Sequence, residues 1–280
     1  MTIEYINGKF LTPGEAAVPV EERGHQFGDG VYEVIRFYGG TGFMLKEHLD
    51  RLERSAEEIK IQLKDGIGAI QKIIEEGVER SGMKDCYVYL QVTRGAAPRN
   101  HLFPLDTEPS IAMTVKPAVP LPQEKVNEGV SVITHPDERW ANCYIKSLNL
   151  LPNILAKQTA YEQGCYEAVL HKDGRVTEAS SSNIFIVKGD TVITTPLSRE
   201  ILPGITRMAV KDVCDIGAIR LEERHFTVDE LKQADEVFVT STTSEVLPVT
   251  KIDEKPVKGG SPGNLTKLIR ELFCARTAES

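Results

Sequence analysis

The chain has no membrane-length apolar segment. Its longest unbroken apolar run is five residues, 86–90, against the roughly eighteen or more expected of a spanning helix. It has no basic excess either: 33 lysines and arginines face 41 aspartates and glutamates, a net charge of −8. Phosphate backbones need a basic footprint, so nucleic acid is not expected as a partner, and neither is a membrane. Paired cysteines are missing. Cys86, Cys143, Cys165, Cys214 and Cys274 are an odd set with no Cys-x-x-Cys, which spells out neither a zinc ribbon nor a redox pair. Reduced thiols in a cytoplasm are the plain reading. The start, Met-Thr-Ile-Glu-Tyr, has neither the basic nor the apolar region of a secretory signal. The six histidines show no metal-ligand spacing, so no metal is expected. No HExxH, Walker A lysine or GxSxG elbow occurs. Gly28-Asp29-Gly30 opens like a dinucleotide fingerprint, but Glu33 holds the third glycine position.

What is present is a mixed α/β pattern over 280 residues, without repeats or low complexity. That length suits one large domain or two modest ones and needs no disulfide or metal staple. Strands are expected at residues 3–6, 31–38, 86–93, 110–115, 130–134, 167–171, 183–187, 219–223 and 236–240. Leu45, Leu49, Leu52, Ala56 and Ile59 recur at helical spacing. Further helices are expected over 68–80, 151–163, after Gly204, and from about Pro262. Pro117, Pro120 and Pro122 break all periodicity between residues 116 and 123, as a stiff connection does. The expected division is a small N-terminal α/β domain (1–119), a linker (120–129) and a larger C-terminal domain (130–280).

Four features bear on chemistry. Lys146 sits among apolar neighbours; it is either a desolvated nucleophile toward a carbonyl or a lysine snorkelling at a helix entrance. Glu178 stands between a strand and a loop of small hydroxyl residues, either fixed by hydrogen bonds beside a heterocyclic nitrogen or solvated. Gly204-Ile205-Thr206-Arg207 opens an amphipathic helix; it is an anion site or an ordinary helix start. The Thr240–Ser244 hydroxyl cluster offers more donors. On the first long helix, His48, Arg51 and Ser55 form a stripe beside the apolar face, with Arg54 opposite. Arg51 there is a phosphate ligand or one half of a surface ion pair.

In this order the parts resemble a pyridoxal phosphate site, and the chain resembles the fold-type IV aminotransferases over almost its whole length. Within them it is most similar to the bacterial D-amino acid aminotransferases. The resemblance rests on residues 23–33 (RGHQFGDGVYE), 47–52 (EHLDRL), 145–149 (IKSLN), 177–183 (TEASSSN), 204–207 (GITR) and 239–245 (VTSTTSE). It implies the two-domain fold-type IV α/β (α+β) architecture. It also implies pyridoxal 5′-phosphate held as a Schiff base on Lys146, the catalytic residue, with Glu178 keeping the pyridine nitrogen protonated. Arg51, Ile205, Thr206, Thr242 and Ser181 would complete cofactor binding. Arg99 and His101 resemble the Arg-x-His element that traps the substrate α-carboxylate in D-specific members, aided by Tyr32, with Tyr89 also in the substrate pocket. The implied reaction is D-alanine plus 2-oxoglutarate giving pyruvate plus D-glutamate by a ping-pong mechanism. The partners are these amino and 2-oxo acids, in a homodimer. Branched-chain L-amino acid aminotransferases and aminodeoxychorismate lyases share the lysine, acid and phosphate parts, and remain the alternatives. Pro152 departs from the closest members, but a helix tolerates proline in its first turn.

Overall fold

Strict alternation in two neighbouring strands builds the first half of the molecule. In the computed structural model, which describes residues 1–278, the strand Gly30–Tyr38 buries Val31, Glu33, Ile35 and Phe37 on one face. The strand Cys86–Thr93 buries Cys86, Val88, Leu90 and Val92 in step with it. Period-two patterning puts each set on one side of the sheet. The helices Leu45–Glu58 and Gly66–Ser81 pack on the sheet, Leu49, Leu52, Ile70 and Ile74 being buried. The sheet has six antiparallel strands in the order Lys9–Leu11, Ile3–Ile6, Ser110–Pro117, Cys86–Thr93, Gly30–Tyr38, Thr41–Gly42.

Chain contacts define two compact units, Met1–Val119 with Ile145–Asn149, and Pro120–Tyr144 with Leu150 onward. The lysine segment therefore lies in the first unit, whereas the linear division puts it in the second. The reason is backbone hydrogen bonding. Gly30–Tyr38 leaves one edge open near its start, and 145–149 fills it. The Tyr32 N–H donates to Lys146 O at 3.0 Å, and the Leu148 N–H donates to Gly30 O at 2.9 Å. Gly30 permits the approach, since a Cβ there would lie 2.7 Å from both Leu148 Cδ1 and Val92 O. The segment expected as a linker also differs, because it contains a short helix, Gln123–Glu128.

The second unit holds a nine-stranded mixed sheet. Its order is Arg220–Glu223, Thr191–Thr194, Asn183–Lys188, Glu236–Ser241, Glu245–Ile252, Val130–Pro136, Glu167–Lys172, Arg175–Ala179, with Lys255–Pro256 added beside Glu245–Ile252. Asn183–Lys188 and Thr191–Thr194 are buried almost throughout, as strands covered on both faces are. Val132, Val169, Ile186, Val239 and Leu247 form one core cluster. Ile133, Ala168 and Leu170 form another with Ala156 and Ala160 of the helix Leu151–Glu162. Pro152 occupies that helix's first turn. The helices Ile205–Ile216 and Asn264–Ala278 pack on each other and on the sheet. Among the described residues no helix is long and apolar enough to cross a membrane.

A cluster of charged side chains is buried in the first unit's core. Glu33, fully buried between Val31 and Ile35, accepts from Arg51 twice, Nε to Oε1 and Nη2 to Oε2, both at 2.8 Å. His48 Nδ1 lies 2.7 Å from Oε2. Burial alone would raise the Glu33 carboxyl, but Arg51 and His48 outweigh it and hold it well below the usual carboxylate range. Its contribution to stability is thus complete above the unfolded value near 4.5 and is lost as pH falls. Glu33→Ala should cost about 3–5 kcal/mol in urea unfolding at neutral pH, as expected when one side of a buried ion pair is removed. It should also flatten the rise of stability on leaving acid; a loss below about 1 kcal/mol would exclude this anchoring role.

Candidate active site

Opposite the buried face of Gly30–Tyr38 lie Tyr32 and, on the adjacent strand, Tyr89, their ring centroids 5.8 Å apart. The edge pairing that brings in residues 145–149 sets Lys146 Nζ 4.2 Å from the Tyr32 ring centroid. The Lys146 N–H donates to Ser55 Oγ at 3.2 Å, which ties the segment to the helix carrying His48 and Arg51. Among the described residues the Lys146 amine has no ion pair and no hydrogen bond. Tyr89 donates to Gln91 Oε1 at 2.8 Å, and burial pushes its phenol up to about 12. Tyr89 therefore stays a neutral donor at physiological pH.

Arg99 and His101 are exposed on the loop that follows Cys86–Thr93. The structure brings them together, but around Phe27. Arg99 Cζ is 4.5 Å from the Phe27 ring centroid, and the His101 ring meets Phe27 edge-on at 5.7 Å. Among the described residues neither side chain hydrogen-bonds to Tyr32, Tyr89 or Lys146. The stripe on the helix Leu45–Glu58 is present, with His48, Arg51 and Ser55 buried and Arg54 exposed. Arg51, however, is engaged in the core by Glu33 rather than at a surface ion pair.

In the second unit Glu178 lies inside the strand Arg175–Ala179 and is only 5% exposed. The strand thus runs one residue past Glu178, and hydrogen bonds from Arg139, Asn183 and the Leu202 N–H fix its side chain. Its carboxylate accepts from Arg139 Nη1, from Asn183 Nδ2 at 2.9 Å, and from the Leu202 N–H at 3.1 Å. Arg139 was not visible in the sequence as anything but part of a charged loop. It is held by Asp137, Nε to Oδ1 at 2.9 Å and Nη2 to Oδ2 at 2.8 Å, and by Glu200 O at 3.0 Å. Thr177 Oγ1 donates to Asp137 in turn. Burial raises the Glu178 carboxyl to about 7, against the pull of Arg139. A carboxyl poised near neutrality can hold or share a proton with a basic nitrogen.

Ser181 proves to be occupied. Glu167, completely buried, accepts from Ser181 Oγ at 2.7 Å, Ser182 Oγ at 2.8 Å and Ser180 Oγ at 3.2 Å. The serine triplet thus caps an internal carboxylate. Ile205–Ile216 begins at Gly204, with no side-chain cap. A Cβ at Gly204 would fall 2.0 Å from Asn183 Oδ1, so only glycine lets Asn183 bond Glu178 there. The N–H groups of Ile205, Thr206 and Arg207 have no intrahelical acceptor. The Thr240 hydroxyl is buried with no partner among the described residues, beside the loop carrying Thr242. That loop is tied down by Tyr166, whose hydroxyl meets Ser244 Oγ at 2.7 Å. No group of His, Cys, Asp and Glu among the described residues is arranged to hold a metal.

Residues 30–252 match the family model of the class IV aminotransferases. The chain belongs to this family. The D-alanine aminotransferase of Bacillus licheniformis is 46% identical over 264 residues, 94% of this chain and 93% of its own length. That of Staphylococcus epidermidis (strain RP62A) is 42% identical over 273 residues, 98% and 97% of the two chains. A T.th. branched-chain amino acid aminotransferase with pyridoxamine 5′-phosphate superposes with a TM-score of 0.92 at 28% identity, covering 99% of this chain and 94% of its own. The fold is that of the fold-type IV aminotransferases. The chemistry present suits pyridoxal 5′-phosphate. Among the described residues there is an amine without an ionic partner, a helix start whose N–H groups lack intrahelical acceptors, a buried hydroxyl without a partner, and a carboxyl poised near neutrality.

Removing the cation beside Glu178 leaves burial opposed only by the Asn183 and Leu202 hydrogen bonds. In Arg139→Met the Glu178 carboxyl should therefore titrate at higher pH, and the corresponding limb of the pH–rate profile for transamination should move upward. An unmoved profile would show that Asn183 and Leu202 alone set the charge on Glu178.

Proposed function

We propose that this chain is a pyridoxal 5′-phosphate-dependent D-amino acid aminotransferase, converting D-alanine and 2-oxoglutarate to pyruvate and D-glutamate. The observation that carries the reading is Lys146. Its amine lies against the Tyr32 ring and has no ionic or hydrogen-bonded partner among the described residues, in a family of aminotransferases. The D-alanine pair is supported by the identity to D-alanine aminotransferases over nearly the whole chain.

Bound pyridoxal phosphate supplies an electron sink for charge developing at the substrate Cα. Lys146 would hold it through Nζ, and the same amine would take the substrate Cα proton and return it. Glu178, fixed by Arg139, Asn183 and the Leu202 N–H, would hold the proton shared with the ring nitrogen. The Ile205 and Thr206 N–H groups and the Thr206 and Thr242 hydroxyls would bind the phosphate, a role the family resemblance also gives to Arg51, and Ser181 would shape the neighbouring loop through Glu167. Arg99 and His101 would bind the α-carboxylate of both substrates, with Tyr32 and Tyr89 as the further pocket residues the family resemblance implies. A planar guanidinium matches a carboxylate with two parallel hydrogen bonds.

The reading includes a small N-terminal and a larger C-terminal domain and a homodimer, as the family resemblance implies. It places the enzyme in the cytoplasm, which the five free cysteines support. The rival with a specific observation behind it is L-branched-chain transamination, since the structural neighbour at TM-score 0.92 is such an enzyme.

Borohydride reduction of the cofactor-loaded protein, followed by peptide mass spectrometry, should label Lys146. A label on any other lysine removes Lys146 from its role. A panel of D-alanine, L-leucine and aminodeoxychorismate should show turnover of D-alanine with 2-oxoglutarate. Turnover of L-leucine but not D-alanine would establish the branched-chain reading instead.

A further inference from the structure

Resting on the reading of Arg99 and His101 as carboxylate donors, a further residue emerges from their surroundings. Both are exposed and lie outside regular structure, where a long side chain has rotamer freedom that binding must suppress. In the present structure that freedom is limited by one ring. Phe27 ends the short helix Arg23–Phe27, which Gly28 closes in the left-handed region at φ 67°. Its ring carries the Arg99 guanidinium at 4.5 Å and meets the His101 ring edge-on at 5.7 Å, with an interplanar angle of 72°.

The geometry matters for what remains available. A cation held over a ring uses the flat face of the guanidinium, whereas a carboxylate is bound by N–H groups on its edge. Stacking therefore fixes Arg99 without consuming the donors that a carboxylate needs. Neither Arg99 nor His101 makes a hydrogen bond or ion pair among the described residues, so those donors are unspent.

The platform itself is braced. Arg23 sits 4.9 Å from the same ring centroid and donates to Asn100 O at 2.6 Å and to Leu102 O at 3.4 Å, the carbonyls flanking His101. Asp29 accepts from Arg23 Nε at 2.8 Å and from Arg94 Nε and Nη2 at 2.8 and 2.9 Å. Arg94 lies 3.6 Å from the centre of Phe103, at the far side of the loop. The loop backbone is thus gripped from below while Phe27 holds the two side chains.

We propose that Phe27 is a positioning residue for the substrate carboxylate, its ring presenting Arg99 and His101 with their donors free. Both co-substrates carry a carboxylate beside the reacting carbon, so both KM values depend on it. On the cofactor-loaded enzyme, Phe27→Leu should raise KM for D-alanine and for 2-oxoglutarate about 5- to 30-fold, the range expected for a lost cation–π and aromatic contact. Turnover at saturation and cofactor absorbance should remain near those of the parent. Phe27→Tyr, which keeps the ring face, should restore both KM values. In the double variant with Arg99→Ala, Phe27→Leu should add little to the effect of Arg99→Ala alone, because the two act as one unit. If Phe27→Leu does not fold, Phe27→Met keeps the bulk and serves the same comparison. If Arg99→Ala raises KM but neither Phe27 variant does, the positioning role is overturned while the carboxylate reading stands. If Arg99→Ala itself leaves KM unchanged, that reading falls and the role of Phe27 with it. Equal losses of turnover and cofactor in Phe27→Leu, unrepaired by Phe27→Tyr, would make Phe27 merely structural and overturn the proposal.

Discussion

The docking of residues 145–149 on the open edge of Gly30–Tyr38 is the interaction on which the arrangement in the first unit depends. Two backbone hydrogen bonds, from Tyr32 N–H to Lys146 O and from Leu148 N–H to Gly30 O, satisfy groups that an edge strand otherwise leaves to solvent. Register then does the rest. Fixing Lys146 opposite Tyr32 puts its amine against the Tyr32 ring, on the face turned away from Glu33. A one-residue slip would present Ser147 instead and reverse every alternation. Gly30 is the permissive element, since any side chain there would collide with Leu148 and Val92.

Two buried carboxylates show how the same group is set to opposite tasks by its neighbours. Glu33 is fully buried, yet a bidentate Arg51 and His48 hold it ionised as a fixed structural anion. Glu178 also faces one arginine, but Arg139 divides its donors among Asp137, Glu200 and Glu178, and burial prevails. A carboxyl whose proton affinity lies near neutrality is suited to sharing a proton; one held far below is suited only to bracing. Glu167 is a third case, surrounded by serine hydroxyls and backbone rather than by a cation. It converts what reads as a loop of polar residues into an internal cap.

Elements with a clean period were legible. The helix Leu45–Glu58 was readable from its 4-3-4-3 apolar spacing, and its His48–Arg51–Ser55 stripe from the same wheel. Cys86–Thr93 was readable from its run of β-branched and aromatic residues, and its burial alternates from Cys86 to Val92. Glu245–Ile252 was not, because Pro248 and a register shift between Val249 and Lys251 interrupt its pattern. Thr191–Thr194 is only 4 residues long and buried throughout, too short to show a period. Arg139 has one local partner, Asp137, but its role beside Glu178 was not legible, because Glu178 and Glu200 lie 39 and 61 residues further along the chain.

The sequence by itself determined the mixed α/β class, the helical stripe bearing Arg51 and, through several long motifs in order, the aminotransferase family. These depend on neighbours within a few residues or on motif order, and both are written along the chain. Only the tertiary structure decided that Lys146 belongs with the first unit, that Ser181 serves Glu167, and that Arg99 and His101 gather on Phe27. Each of these rests on a hydrogen bond or ring contact between residues far apart in sequence. Such a contact exists only once backbone pairing and burial have fixed which groups lose water and which partners remain to replace it.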